Sequence, residues 1–417
     1  MKKLLLKNIK SLLCTYDDAP IKLSGKEMSI LPLINNAWLA SENGVIVDFG
    51  SMHEFPGITN WKDLEIIDCE GKMVMPTFAD SHTHIVYAGN REQEFVDRIN
   101  GLSYEEIAAK GGGILNSAAL LANTSEDELF EQSKQRLLEV IALGTGAIEI
   151  KSGYGLSLES ELKMLRVIKR LKELNLIPVK ATFLGAHAVP AIYKGNKEGY
   201  LNLILNEILP EVAKQKLADY IDIFCEQNYF TANETATILE KGAKFGLQGK
   251  VHAEQLSHSG GIQAAVKCNA VSVDHLEFCN DEDIELLKNS NTIPTILPGA
   301  AYFLNLQLPP AKKMINKGLP VAFASDYNPG SSPSGNMMQM LSMACVQYKL
   351  TPEEAINATT LNSAFAMGLQ NDVGTITIGK KCNLIITKPI TSYNFLPYAF
   401  GSNLIDKVII NGEQFLF

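Results

Sequence analysis

The sequence predicts an α/β protein: a (β/α)8 TIM-like barrel with a small β-sandwich domain formed from both chain ends. Two patterns lead there. Eight apolar segments of strand length, separated by amphipathic helical stretches, fill the middle of the chain, and short alternating strands with hairpin turns occupy its ends. A third observation is chemical: polar groups recur where those middle strands finish, and barrels build their sites at the C-terminal ends of strands. A doubly wound open sheet is the alternative, and the count of eight favours closure.

From residue 1 to about 70, Lys3 to Ser11 and Trp38 to Asp48 read as strands, the second broken by Asn43-Gly44, a dipeptide suited to a two-residue hairpin. The same texture returns in Gly374 to Thr387 and Asp406 to Leu416, with another turn at Asn411-Gly412. Either end alone would leave an apolar face uncovered, so residues 1–73 and 370–417 are expected to pair into one domain around an inserted barrel, 74–369.

The eight barrel strands are Val74 to His84, Ala147 to Ser152, Pro178 to His187, Tyr220 to Glu226, Lys250 to Gln255, Val271 to Glu277, Ile293 to Pro298 and Val321 to Asp326. Between them, Ser125 to Leu143 opens with a capping box, Ser125 to Glu128, and Leu158 to Asn175 carries Leu, Ile and Val at helical spacing. Thr351-Pro352-Glu353-Glu354 combines a cap with proline in the first turn.

Composition narrows the function. With 46% apolar and 20% charged residues and a formal charge of −9, the chain is globular and offers no nucleic-acid surface. Lysines interrupt the apolar start before a secretion signal can form, and no run is long enough to cross a bilayer. Seven scattered cysteines read as thiols of a reducing cytoplasm.

Histidines carry the strongest signal. Side chains two apart on a strand share a face, so His82 and His84 point the same way and can supply half of a four-coordinate metal shell. His187, His252 and His275 also fall at strand ends, with Tyr154 after the second strand and Asp326 closing the eighth. A single histidine on an apolar strand is more often a packed core residue, but five of the seven at strand ends argue for convergence on one site. His53 and His258 do not fit and read as surface or helix-start residues.

Residues Pro76 to His84, His252, His275, Ser325-Asp326 and Asn357 to Asn362 followed by Gly374-Thr375-Ile376 resemble the amidohydrolase superfamily of metal-dependent hydrolases. Tyr87 to Arg91, Gly111 to Ile114, Glu149 to Gly155, Phe183 to His187, His252 to Gln255 and Asp326 to Ser332 are similar to its imidazolonepropionase branch, in the same order along essentially the whole chain. That resemblance implies that His82, His84, His252 and Asp326 bind one zinc or iron ion per chain, which lowers the pKa of a bound water toward ~7. It implies His275 and Asp326 as catalytic groups, and Arg91, Tyr154, His187, Gln255, Asn328, Gly330 and Ser331 as contacts to imidazolone propionate or its product, N-formimidoyl-L-glutamate. A guanidinium fork suits the propionate carboxylate. Histidine degradation, a homodimer and a cytoplasmic location follow from the same resemblance.

Three features weigh against rival readings. Lys151 follows strand two, whereas the modified lysine that bridges two metals in some amidohydrolases comes from strand four, so one metal is expected. Gln255 stands where related heterocycle deaminases place a proton-shuttling glutamate, which disfavours a guanine- or cytosine-deaminase-like activity, while Glu254 should face away. Gly111-Gly112-Gly113 lacks the lysine and Ser/Thr of a phosphate loop and reads as a substrate-covering loop or helix stop. Met337, Met338, Met340 and Met343 read as helix packing, and the complete ligand set argues against a scaffold that has lost catalysis.

Overall fold

The computed structural model describes residues 2–102, 106 and 112–416. Eight parallel strands follow one another in sequence order: Phe78–Asp80, Thr145–Lys151, Val179–Ala186, Tyr220–Cys225, Gln248–Ala253, Ser272–His275, Ile293–Ile296 and Ala322–Phe323. The ring closes at its C-terminal rim, where Thr83 pairs with Tyr327, the Asp326 N–H donates to His82 O (3.0 Å) and the His84 N–H to Tyr327 O (2.9 Å). All residues of these strands except Lys180, Gln248 and Gly249 are buried, as expected of parallel strands covered by helices.

The two chain ends pair in a second, mixed sheet. Lys3–Leu13 lies antiparallel to Leu33–Glu42, which turns through Asn43-Gly44 into Val45–Ser51. Both turn residues have left-handed φ (49° and 81°), the requirement of a type I′ hairpin, and Asn411-Gly412 repeats it (49° and 75°) between Ile405–Ile410 and Glu413–Gln414. Leu384–Thr387 then joins the C-terminal strands to the N-terminal ones through Met73–Pro76. Of Gly374 to Thr387 only this last part is a strand.

The expectation of one strand from Val74 to His84 needs correction. Met73–Pro76 belongs to the mixed sheet, and Phe78–Asp80 to the barrel. The switch falls between two peptide groups, since the Thr77 N–H donates to Asn383 O (3.1 Å) and the next N–H, of Phe78, to Gly144 O (2.9 Å). Gly146 makes room for it: a Cβ there would lie 1.9 Å from Thr77 Oγ1.

Helix starts follow their signals with one difference. At Thr351 both halves of the capping box form, with Pro352 in the first turn. At Ser125 the hydroxyl accepts the Glu128 N–H (3.2 Å), but the Glu128 carboxylate accepts from Gln132 instead of returning to the cap. Gly113, at φ 81°, precedes and starts the helix Ile114–Asn123; Gly111 lies outside the described residues. The four methionines sit on Met337–Val346, three of them buried. Among the described residues no helix is long and apolar enough to cross a membrane.

Candidate active site

The first barrel strand ends at Asp80, whose carboxylate accepts the Ser325 N–H (3.0 Å) and hydroxyl (2.5 Å) and so ties strand one to strand eight. Beyond it His82 and His84 point inward from the rim, both buried. Strand five presents His252, and His275 and Asp326 follow at left-handed φ values of 85° and 54°. Such angles are rare outside glycine and cluster at functional sites, where they re-aim a side chain.

Donor atoms of His82, His84 and His252 all lie within 4.8 Å of one another. Asp326 Oδ1 is 3.5 Å from His82 Nε2 and 3.4 Å from His84 Nε2, and those two nitrogens are 3.3 Å apart. The Nε2 atom of His252 is buried and has no hydrogen-bond partner. Facing imidazole lone pairs, one of them orphaned, are costly when dry and become favourable around a cation, so the donor set fits a metal ion. Protonation agrees. Burial, with Lys151 and the other imidazoles nearby, pushes His82 well below its usual pKa, and burial lowers His252 although Asp222 opposes it. Neutral rings are the form that can coordinate. Burial raises Asp326, but His84 and His275 outweigh it and hold the carboxylate ionised.

His275 lies beside the cluster, its ring 5.3 Å from that of His252. Burial disfavours its charged form, yet Glu277, 3.8 Å away, and Asp326 raise its pKa overall. At that distance Glu277 acts as a charge and not as a hydrogen-bond acceptor.

Above these groups opens a cavity of about 710 Å³, walled by every remaining residue named from the sequence. The His187 ring stacks on His84 at 5.5 Å, with Nδ1 3.1 Å from Gly153 O, and Tyr154 lies 5.4 Å from it. Asn328 Oδ1 accepts the N–H groups of Gly330 and Ser331 (2.8 Å each), while Nδ2 donates to Asp326 O (2.7 Å). These loop residues therefore hold Asp326 as well as lining the cavity. Arg91 is partly committed, because Nε and Nη2 donate to Glu94 Oε2 (2.8 and 2.6 Å). Its Nη1 packs on Gly330, where a Cβ would come within 2.1 Å. Glu94 Oε1 accepts the Gly113 N–H (2.9 Å), and Arg98 donates to Gly330 O (3.0 Å).

The sequence profile described as the Amidohydrolase family matches residues 73–415. The chain is 59% identical to the imidazolonepropionase of Flavobacterium johnsoniae, over 98% of this chain and 99% of that one. The chain belongs to the amidohydrolase family. Similarity extends to the imidazolonepropionases of Christiangramia forsetii (57%; 98% of this chain, 99% of that one) and Clostridium tetani (42%; 93% of each). Among solved structures, a triazine hydrolase variant has a TM-score of 0.76 at 15% identity, covering 99% of this chain and 94% of that one. The guanine deaminase of C. acetobutylicum has 0.70 at 16%, covering both chains completely. At such identities the structures speak for the fold alone.

Gln255 lines the cavity, three residues after His252. Glu254 is turned away by a left-handed φ of 54° and accepts from Ser259 Oγ (2.6 Å) and the Gly260 N–H (3.1 Å), buried rather than solvated. Strand four ends in Cys225, and Glu226 accepts from Ser257 and the Leu256 N–H. His53 is exposed, and His258 pairs with Asp283 at 3.0 Å. Sequence reasoning missed Glu94, Arg98, Glu149, Asp222, Lys250 and Asp274. One signal was present: Glu149/Lys151 and Lys250/His252 are same-face pairs of ionisable residues in strands that read as buried.

Proposed function

We propose that this cavity hydrolyses the cyclic amide of 4-imidazolone-5-propanoate to N-formimidoyl-L-glutamate in L-histidine degradation. The chain is a hydrolase of carbon–nitrogen bonds by family, and one observation supports this substrate. A single cavity has His84 and His252 of the imidazole cluster, with Asp326, at its floor and the Arg91 guanidinium in its wall. With Glu94 on the Nε/Nη2 side of Arg91, the Nη1/Nη2 edge is left to receive a carboxylate in two parallel hydrogen bonds.

His82, His84, His252 and Asp326 would hold one zinc or iron ion, which when bound supplies an acidified water and polarises a carbonyl. Water adds across the amide: its oxygen bonds to the carbonyl carbon, the C–N bond breaks, and a proton passes to the departing nitrogen. Asp326, ionised and beside the cluster, would carry that proton, and His275 would orient the attacked carbonyl. Tyr154, His187, Gln255, Asn328, Gly330 and Ser331 would shape the pocket around the ring and its chain. A homodimer in the cytoplasm belongs to the same reading.

The test is to follow loss of ultraviolet absorbance of fresh imidazolone propionate with metal-loaded protein, together with an ammonia assay. Formimidoylglutamate without ammonia is expected. Ammonia release from guanine or cytosine, with imidazolone propionate untouched, would replace this reading with a deaminase. His82→Ala should lose metal and activity together, because it removes one of the three clustered imidazoles and the remaining ligands hold an ion far less well.

A further inference from the structure

Beneath the imidazole cluster the barrel interior holds a layer of buried charge. Glu149 and Lys151 come from strand two, Asp222 from strand four, Lys250 from strand five and Asp274 from strand six, none more than 1% exposed. Lys151 sits at its centre. Its ammonium lies 2.7 Å from Glu149 Oε1, 2.8 Å from Asp222 Oδ2 and 3.9 Å from Asp274 Oδ2. The same two aspartate oxygens face the imidazoles: Asp274 Oδ2 is 2.6 Å from His82 Nδ1, and Asp222 Oδ2 is 3.0 Å from His252 Nδ1.

We propose that Lys151 is a positioning residue for the metal site, holding Asp222 and Asp274 together so that His82 and His252 turn their Nε2 atoms to one ion. The inference rests on the reading of His82, His84 and His252 as metal ligands. A histidine that binds metal through one nitrogen needs an acceptor on the other to set its tautomer and ring orientation. Here Asp274 is that acceptor for His82, Asp222 stands 3.0 Å from His252 Nδ1 where a small turn of the ring would complete the bond, and the two carboxylates share one cation. With neutral imidazoles the layer carries three negative and two positive charges, so losing Lys151 leaves three carboxylates against Lys250 alone. Lys250 cannot take its place, since it donates to Glu149 Oε2 (2.6 Å) and Ser81 O (2.9 Å) on the other side. Asp222 and Asp274 would then repel each other in a dry interior and release the rings they orient. Full enclosure by these carboxylates also gives the lysine a role unlike that of a metal-bridging carbamate.

The experiment measures zinc affinity of chelator-stripped protein by competition with a chromophoric chelator, for wild type, His82→Ala, Lys151→Met, Asp222→Asn and Asp274→Asn. Far-ultraviolet circular dichroism checks folding. Lys151→Met should bind zinc about 10- to 100-fold more weakly, and each aspartate variant should fall in the same range. Because they act through one chain of contacts, Lys151→Met with Asp274→Asn should lose less than the product of the single losses. A folded Lys151→Met with wild-type affinity, or full additivity with Asp274→Asn, overturns the proposal. Should Lys151→Met not fold, wild-type affinity in both aspartate variants overturns it. If wild type binds no zinc, or His82→Ala binds it undiminished, the metal-site reading itself fails and takes the proposal with it.

Discussion

The mixed sheet buries Leu6, Ile9, Leu12, Val74, Leu384 and Ile386 against one another in a core without a charge, whereas the barrel interior under the histidines buries five ionic groups. Apolar contact is non-directional, so such a core holds the two chain ends together without dictating any one angle. Buried ions work differently. Their net contribution to stability is small after desolvation, but removing one partner strands the other, and each contact sets a direction. The barrel gives up an easily packed centre for orientation at its rim; the sheet has no site to orient.

Lys250→Met tests this contrast most severely. It leaves Glu149 short of one partner in a fully enclosed position, and should cost about 3–5 kcal/mol in denaturant unfolding. A neutral or stabilising result would mean that the layer is no more demanding than the apolar core. Ile386→Ala, in the mixed sheet, should cost roughly 2–5 kcal/mol through lost burial and a cavity. Zinc content and kcat/KM of its folded protein should stay at wild-type values; a fall in either would show that the two interiors are not separable.

Arg91→Met sharpens the comparison with a charge at the cavity wall, neither deeply buried nor apolar. It should retain zinc and lower kcat/KM for imidazolone propionate by the equivalent of about 2–4 kcal/mol, roughly 30- to 1000-fold. An uncharged imidazolone lacking the propionate should lose much less, and equal losses for both would remove Arg91 from carboxylate recognition. The smallest effect belongs to Thr351→Ala, which deletes one half of a capping box far from the metal site and should cost about 1 kcal/mol of stability with KM and metal content unchanged. A change in metal content there would reveal a path from the helical shell to the layer.

Much of the site was legible before any coordinates. Period two put His82 and His84 on one face, and the placement of His187, His252, His275 and Asp326 at strand ends needed only the barrel rule to bring them together. Both Asn-Gly turns formed where the dipeptides stand. The Arg91–Glu94 pair is also legible, being three residues apart at a helix start.

What the chain determined alone is therefore local: spacing chooses a face, a turn dipeptide chooses a hairpin, and a cap chooses a helix start, because each depends on atoms a few bonds away. Tertiary structure decided the rest. Thr77 and Phe78 are neighbours, yet their N–H groups find acceptors in Asn383 and Gly144, so the end of one sheet and the start of the other depended on remote carbonyls. Lys151 could be judged from its strand number only by what it does not do. Its partner Asp222 lies 71 residues on, and the ammonium becomes a hub only when barrel closure excludes water and makes every charge in the layer answer to its nearest neighbour.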